Sequence, residues 1–393
     1  MLLIISLVAS VILFVNFHER IIRRLTKKGF DYKIEVLRNE VFEGESFMIR
    51  ETLTNKSPFP LTSVRIDLNL PEGLHFSVTG EDREEKRLTF ISGLFSLGGH
   101  ESARREWRIT ADRRGLYTLD GAITVENSFF GAEKYSGKLD LSACDSNTVT
   151  VYPAILSLDE YFSTDRLVTG PALSRAKLVR DPLAISGVRP YNTDDPMNRI
   201  NWKLSASHGE LYVNNEEFTE KYDLDILLNM QSRSRESREG LVAYPDRVDL
   251  CVNVVASMLN ACADSDVPIS IITNGISDDA PDGADRVNCQ NSTFEVLPPA
   301  VGKESFAAYM RYLAYLKSVP SVPTYDMLAM IEAAPERFFR GKNIVVVSAY
   351  FDSFMLKFHE ALAECGYSVV YYITTAYREV VDIPANAEIH YKL

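Results

Sequence analysis

The hydrophobic period changes once along the chain, near residue 223, so the sequence must hold two kinds of fold. From about Asp31 to Tyr152 the period is two, and residues 153–222 fit neither pattern well. Val64, Ile66, Leu68 and Leu70 alternate with Arg65, Asp67 and Asn69, as in a half-buried strand. Pro71-Glu72-Gly73 ends that strand with turn chemistry. Asn55-Lys56-Ser57-Pro58-Phe59-Pro60 and Gly98-Gly99 punctuate further short strands, and Trp107 and Ile109 share one face of another. Short strands between turn signals, without a helical period, predict an antiparallel β-sandwich over residues 31–152. No Cys–Trp–Cys spacing marks it as an immunoglobulin domain.

After residue 223, short apolar runs alternate with helical stripes. Residues 224–228, 269–273, 344–347 and 368–374 are apolar enough for buried parallel strands. Val248, Cys251, Val252, Val255, Met258, Leu259 and Cys262 recur at three and four, as do Phe306, Tyr309, Met310, Leu313 and Leu316. Asp352 or Ser353 suits the N-cap of a helix carrying Met355, Phe358 and Leu362. This alternation predicts a doubly wound, parallel α/β sheet over residues 223–393, resembling a von Willebrand factor A domain. Residues 275–291, polar and rich in Asp, read as an exposed loop.

Residues 1–17 contain no charged side chain and are followed by Arg20, Arg23, Arg24, Lys27 and Lys28. About 17 apolar residues is the lower limit for a membrane-spanning helix. No basic residue precedes the run and no small-residue cleavage site follows it, so it reads as an anchor rather than a signal peptide. The basic residues place the following chain on the cytoplasmic side. The expected fold class is therefore α+β multidomain. Its order is a transmembrane anchor (1–17), a basic juxtamembrane linker (18–30), the sandwich, a connecting segment (153–222) and the α/β domain.

A net charge of −12 lacks the basic footprint that nucleic acid requires. The five cysteines, Cys144, Cys251, Cys262, Cys289 and Cys365, are scattered without a CxxC pair, which predicts neither a disulfide framework nor a zinc site.

The connecting segment holds the most distinctive residues. Arg189, Asp194, Asp195, Arg199 and Lys203 mix acids with bases, and Tyr191 and Trp202 lie among them. Asp195 suits an ion pair with Arg199 or Arg189, and Trp202 suits an anchor against a domain. The segment thus reads either as a joint locked by ion pairs or as a protein-binding surface.

Arg189, Tyr191, Asp195, Arg199, Ile200, Trp202, Lys203, Ser205, Ala206, Gly209 and Leu211 resemble the signature of the bacterial family catalogued as domain of unknown function 58. Asp194 stands where that pattern has glycine, and Ser207 where it has arginine. Residues 113–117 (RRGLY), 127–131 (NSFFG) and 151–153 (VYP) are similar to further elements of the family, with Asn127 and Ser128 replacing Asp and Pro. The family usually begins with two hydrophobic helices, whereas one is legible here. The resemblance implies a partner of the MoxR-type AAA ATPase class and no known reaction.

The resemblance to a von Willebrand A domain also raises a metal question. Its metal-binding version uses Asp-x-Ser-x-Ser after the first strand, with a threonine and an aspartate from later loops; such hard oxygen ligands suit Mg²⁺. The matching positions here are Asn229, Gln231 and Arg233, then Thr324 and Asp352. An amide replaces a carboxylate and a cation replaces a hydroxyl, so the metal site is expected to be lost and no cofactor is expected. The six histidines, His18, His75, His100, His208, His359 and His390, form no HExxH, and neither GxSxG nor a Gly-rich phosphate loop occurs. The sequence therefore predicts a non-enzymatic, membrane-anchored adaptor. The alternatives are an outward-facing adhesion or ligand-sensing module and an uncharacterised hydrolase.

Overall fold

The chain divides into two units at Ala154/Ile155. The computed structural model describes residues 6, 10, 30–79, 85–127, 134–141, 146–158, 162–163, 185–191, 202–216, 223–234, 236, 242–263, 267–289, 292–375 and 388–392. The anchor expected over residues 1–17 lies outside these, apart from positions 6 and 10. Among the described residues, no helix is long and apolar enough to cross a membrane.

The first unit contains strands β1 (Phe30–Val36), β2 (Glu40–Phe42), β3 (Ser46–Asn55), β4 (Leu61–Asn69), β5 (Leu74–Thr79), β6 (Glu85–Leu88), β7 (Phe90–Leu97), β8 (Ser102–Ala111), β9 (Gly115–Thr118), β10 (Gly121–Asn127), β11 (Lys134–Asp140) and β12 (Thr148–Tyr152). An antiparallel sheet ordered β1-β3-β8-β5-β6 and another ordered β11-β10-β4-β7 share one core with the small sheet β2-β12-β9. Burial alternates residue by residue along β3 and β7. Ile49, Leu53 and Ile109 of one sheet therefore fill the same interior as Ile66, Leu68, Ile91 and Phe95 of the other.

Two of the sequence signals in this unit are pins. Asn55, fully buried, donates from Nδ2 to the carbonyls of Phe59 and Gly98, both at 2.7 Å, and closes the turn after β3. Tyr117 donates from its hydroxyl to the Arg113 carbonyl at 2.9 Å, and Gly115 between them has φ +152°. That conformation explains the glycine in the RRGLY run.

The second unit contains β13 (Phe162–Ser163), β14 (Ile185–Pro190), α1 (Trp202–His208), β15 (Tyr212–Glu216), β16 (Leu224–Leu228), α2 (Pro245–Cys262), β17 (Ile269–Thr273), β18 (Asp285–Cys289), β19 (Ser292–Ala300), α3 (Gly302–Tyr315), α4 (Thr324–Ala333), α5 (Pro335–Phe338), β20 (Asn343–Ser348), α6 (Ser353–Glu364), β21 (Ser368–Ile373) and β22 (Glu388–Lys392). Eight strands form one sheet in the order β13-β22-β21-β20-β16-β17-β19-β18. Its middle is parallel, from β22 through β21, β20 and β16 to β17. β16, β17 and β20 carry near-continuous apolar runs because both of their faces are covered. Helices α2 and α3 pack on one face of the sheet, and α4, α5 and α6 on the other.

Two expectations need correction. The sheet is mixed rather than wholly parallel, since β19 runs antiparallel to β17 and to β18. Pro298 and Pro299 are tolerated in β19 because its register with β17 slips there: Ile269 pairs with Ala300, and Ile271 with Leu297. Part of the expected loop at 275–291 is strand β18, and Ser277 also bridges to Leu316. Within the segment 153–222, the described residues nearest its start contact the second unit. The Leu156 amide donates to Ser257 Oγ at 2.8 Å, Leu158 packs on the α2 side of the core, and β13 pairs with β22.

Candidate functional site

With the short β13 and the hairpin strand β18 set aside, the strand order reads 3-2-1-4-5-6. In such sheets the ligand crevice lies beyond the carboxyl ends of the strands, where the order reverses. Here the reversal falls between β16 and β20. Asn229 follows β16, Ser348 ends β20, and Asn229 Nδ2 donates to Ser348 Oγ at 2.9 Å across that point.

A closed polar network extends from this bond. Asn229 Oδ1 accepts from the Gln231 amide at 3.0 Å and from Asn274 Nδ2 at 3.3 Å. The Thr324 hydroxyl lies 2.6 Å from Asn229 Oδ1 and is also in contact with Gln231 Oε1. It has one proton, so it donates to one of these oxygens at a time. Gln231 Oε1 further accepts from the Thr324 amide at 2.6 Å, at the start of α4, and from the Tyr350 hydroxyl at 3.3 Å. The first N–H of α4 is therefore satisfied by a side chain from another loop. Asn274 Oδ1 takes the Met230 amide at 2.7 Å. Asn229, Asn274 and Ser348 are fully buried, as expected of groups whose polar atoms are paired within the protein.

Asp352 stands at the outer edge of the network. Its Oδ1 caps α6, accepting from the Phe354 and Met355 amides at 3.1 Å each, and its Oδ2 accepts from Ser234 Oγ at 2.6 Å. Burial pushes the Tyr350 hydroxyl up to about 12 against hydrogen bonds from Thr324 and Asn229, and the Asp352 and Glu236 charges add to the rise. Tyr350 therefore remains a proton donor at neutral pH. Gln231, Ser234, Thr324, Tyr325, Leu328, Tyr350, Asp352 and Phe354 line a small pocket here.

The structure thus brings Asn229, Gln231, Thr324 and Asp352 together and leaves Arg233 outside as an exposed side chain. Ser234, one residue further on, is the group that reaches Asp352. These residues do not suit a hard divalent cation. Asp352 is the sole carboxylate lining the pocket among the described residues, and the Asn229 and Gln231 oxygens already accept from protein donors. The described residues contain no cluster of three or more His, Cys, Asp or Glu side chains able to hold a metal. Among the described residues, no histidine lines the pocket beside the Ser234–Asp352 pair.

The signature segment lies elsewhere. β14 and β15 form an antiparallel hairpin in which Arg189 pairs with Val213. The Tyr191 amide donates to the Leu211 carbonyl at 2.8 Å, and Ser205 Oγ accepts from the Tyr212 amide at 2.9 Å. Trp202 opens α1, and Lys203 is exposed. Asp195 and Arg199 lie outside the described residues, so the ion pair expected between them does too.

No family model matches the chain, and no curated protein matches it. Among solved structures, a CARDB domain from Pyrococcus furiosus in complex with di-metal ions is similar over 31% of this chain and 93% of its own, with 12% identity and a TM-score of 0.18. A putative membrane anchored protein from Corynebacterium diphtheriae covers 31% and 35% with 9% identity and a TM-score of 0.23. A non-cellulosomal cohesin from Archaeoglobus fulgidus covers 31% and 91% with 12% identity and a TM-score of 0.20. Likenesses this slight carry no argument about fold or function.

Proposed function

We propose that the protein is a non-enzymatic adaptor, held to the cytoplasmic face of a membrane by its N-terminal apolar run. Its α/β unit, read as von Willebrand factor A-like, would present the crevice beside Asp352 to a MoxR-type AAA ATPase. The 3-2-1-4-5-6 strand order supports the fold reading. The observation that carries the adaptor reading is the closed network of Asn229, Gln231, Asn274 and Thr324. It fills the place of a metal or catalytic centre with mutually satisfied neutral groups. What remains for a ligand is the rim, where Tyr325 and Phe354 are 42% and 43% exposed with ring centroids 5.8 Å apart. Exposed aromatics beside a pocket are the residue types that anchor protein interfaces.

Co-purification of the tagged full chain from native membranes in mild detergent tests the proposal. The expected result is recovery of an AAA ATPase that is lost with Tyr325→Ala/Phe354→Ala. Recovery unchanged by the double variant would remove the crevice from the interface. A parallel Arg199→Ala arm asks whether the signature segment is an interface or a joint.

A further inference from the structure

We infer that the pocket beside Asp352 receives the ammonium group of a lysine side chain from a protein partner. The inference rests on the docking reading above and adds the chemistry of the guest. The walls are aromatic: Tyr325 from the first turn of α4, Phe354 from the first turn of α6, and Tyr350 from the loop after β20. Aromatic faces attract a cation through the ring quadrupole, most strongly where water is thinned out. Among the described residues that line it, the pocket carries one formal charge, the Asp352 carboxylate.

Among the described residues, no basic side chain comes within 4 Å of that carboxylate. Oδ1 holds the two backbone N–H groups of α6, and Oδ2 holds the Ser234 hydroxyl. A carboxylate oxygen accepts along two lone-pair directions, so Oδ2 keeps one for a guest. Three rings and a carboxylate with no basic partner among the described residues, around a small opening, complement a compact cation. They oppose an acidic side chain, which would meet Asp352 with no cation between them. Arg233, beside Ser234 in sequence, is exposed and does not line the pocket.

The test is fluorescence anisotropy on the full chain in detergent micelles. The probe is a labelled, N-acetylated Gly/Ser peptide with one central lysine. Parallel peptides carry acetyl-lysine, glutamate or arginine there, and one carries no lysine but a free N-terminus. The lysine peptide is expected to bind at least tenfold more tightly than the acetyl-lysine and glutamate peptides. Asp352→Asn retains an amide oxygen able to cap α6 while removing the charge, and should abolish that preference. Circular dichroism confirms that this variant is folded.

Equal binding of the lysine and acetyl-lysine peptides, or unchanged preference in Asp352→Asn, overturns the inference. So does tighter binding of the arginine or free-N-terminus peptide. Those results leave the docking reading standing if Tyr325→Ala/Phe354→Ala still releases the ATPase. Loss of discrimination together with ATPase retention by that double variant ends both.

Discussion

Glu51 of the first unit and Asp225 of the second are carboxylates buried to the same degree and held differently. Glu51 in β3 and Asp225 in β16 are each 1% exposed, and burial raises the pKa of both. Asp225 is enclosed by donors: Ser270 Oγ on Oδ1, and the Arg340 and Gly341 amides at 3.0 Å on Oδ2. Two of these are backbone groups, so the side chain ties β16 to the turn that begins β20. Glu51 points into the sandwich core among Phe47, Ile49 and Leu53. Its Oε2 accepts from the Tyr32 hydroxyl at 3.0 Å, while Oε1 has no hydrogen bond among the described residues. Trp107 Nε1 opposes the pKa rise from nearby without reaching hydrogen-bond geometry. The comparison teaches that burial alone does not reveal a carboxylate's role. Asp225 is a clamp, whereas Glu51 costs the sandwich stability that a neutral residue would restore.

Replacing the clamp gives the largest expected effect. Asp225→Leu strands two part-buried amides and the buried Ser270 hydroxyl, and should cost about 3 kcal/mol in denaturant unfolding of the second unit. A loss below about 1 kcal/mol would break the comparison. Gly341→Ala probes the same clamp through the backbone, because a Cβ there would lie 2.4 Å from the Asp223 carbonyl oxygen. Roughly 2 kcal/mol is expected, read from the same transition.

Glu51→Gln should act in the opposite direction, stabilising the sandwich by about 1 kcal/mol at pH 8. A carboxyl whose folded pKa is raised contributes stability that is present below its unfolded pKa, near 4.5. That stability is lost as pH rises through the folded value. The wild-type sandwich should therefore weaken on going from acid to neutral pH, with a flatter profile in Glu51→Gln. Thermal melts across pH read the difference, and an identical slope would place the pH dependence elsewhere. The smallest effect belongs to the crevice: Ser234→Ala removes one donor from half-buried Asp352 and should cost no more than about 1 kcal/mol. In calorimetry, neither that variant nor the wild type is expected to bind Mg²⁺ at micromolar levels.

The sequence revealed the elements whose burial is periodic. Val64 to Leu70 alternates, the stripe from Val248 to Cys262 follows 3.6, and the 224–228 run is apolar throughout; each has one dominant environment. β19 was hidden because Pro298-Pro299 argues against a strand, and only the register slip with β17 accommodates it. Within the crevice, Asn229, Gln231, Thr324 and Asp352 were legible from motif spacing. Asn274 and Ser348 were not, because they reach Asn229 from positions 45 and 119 residues away. Ser234 was missed because the motif was read in steps of two, and the turn after Ser232 shifts that phase.

The ends of the eight-stranded sheet bear on self-association. An open strand with free N–H and C=O groups is a template on which another chain can polymerise. One border of this sheet is β13, two residues long, too short to nucleate such growth. The other is β18, which carries exposed Asp285 and Arg286 and follows a slipped, proline-bearing partner. Crowded copies of the chain would therefore meet short and charged borders, which disfavours fibre growth from this sheet.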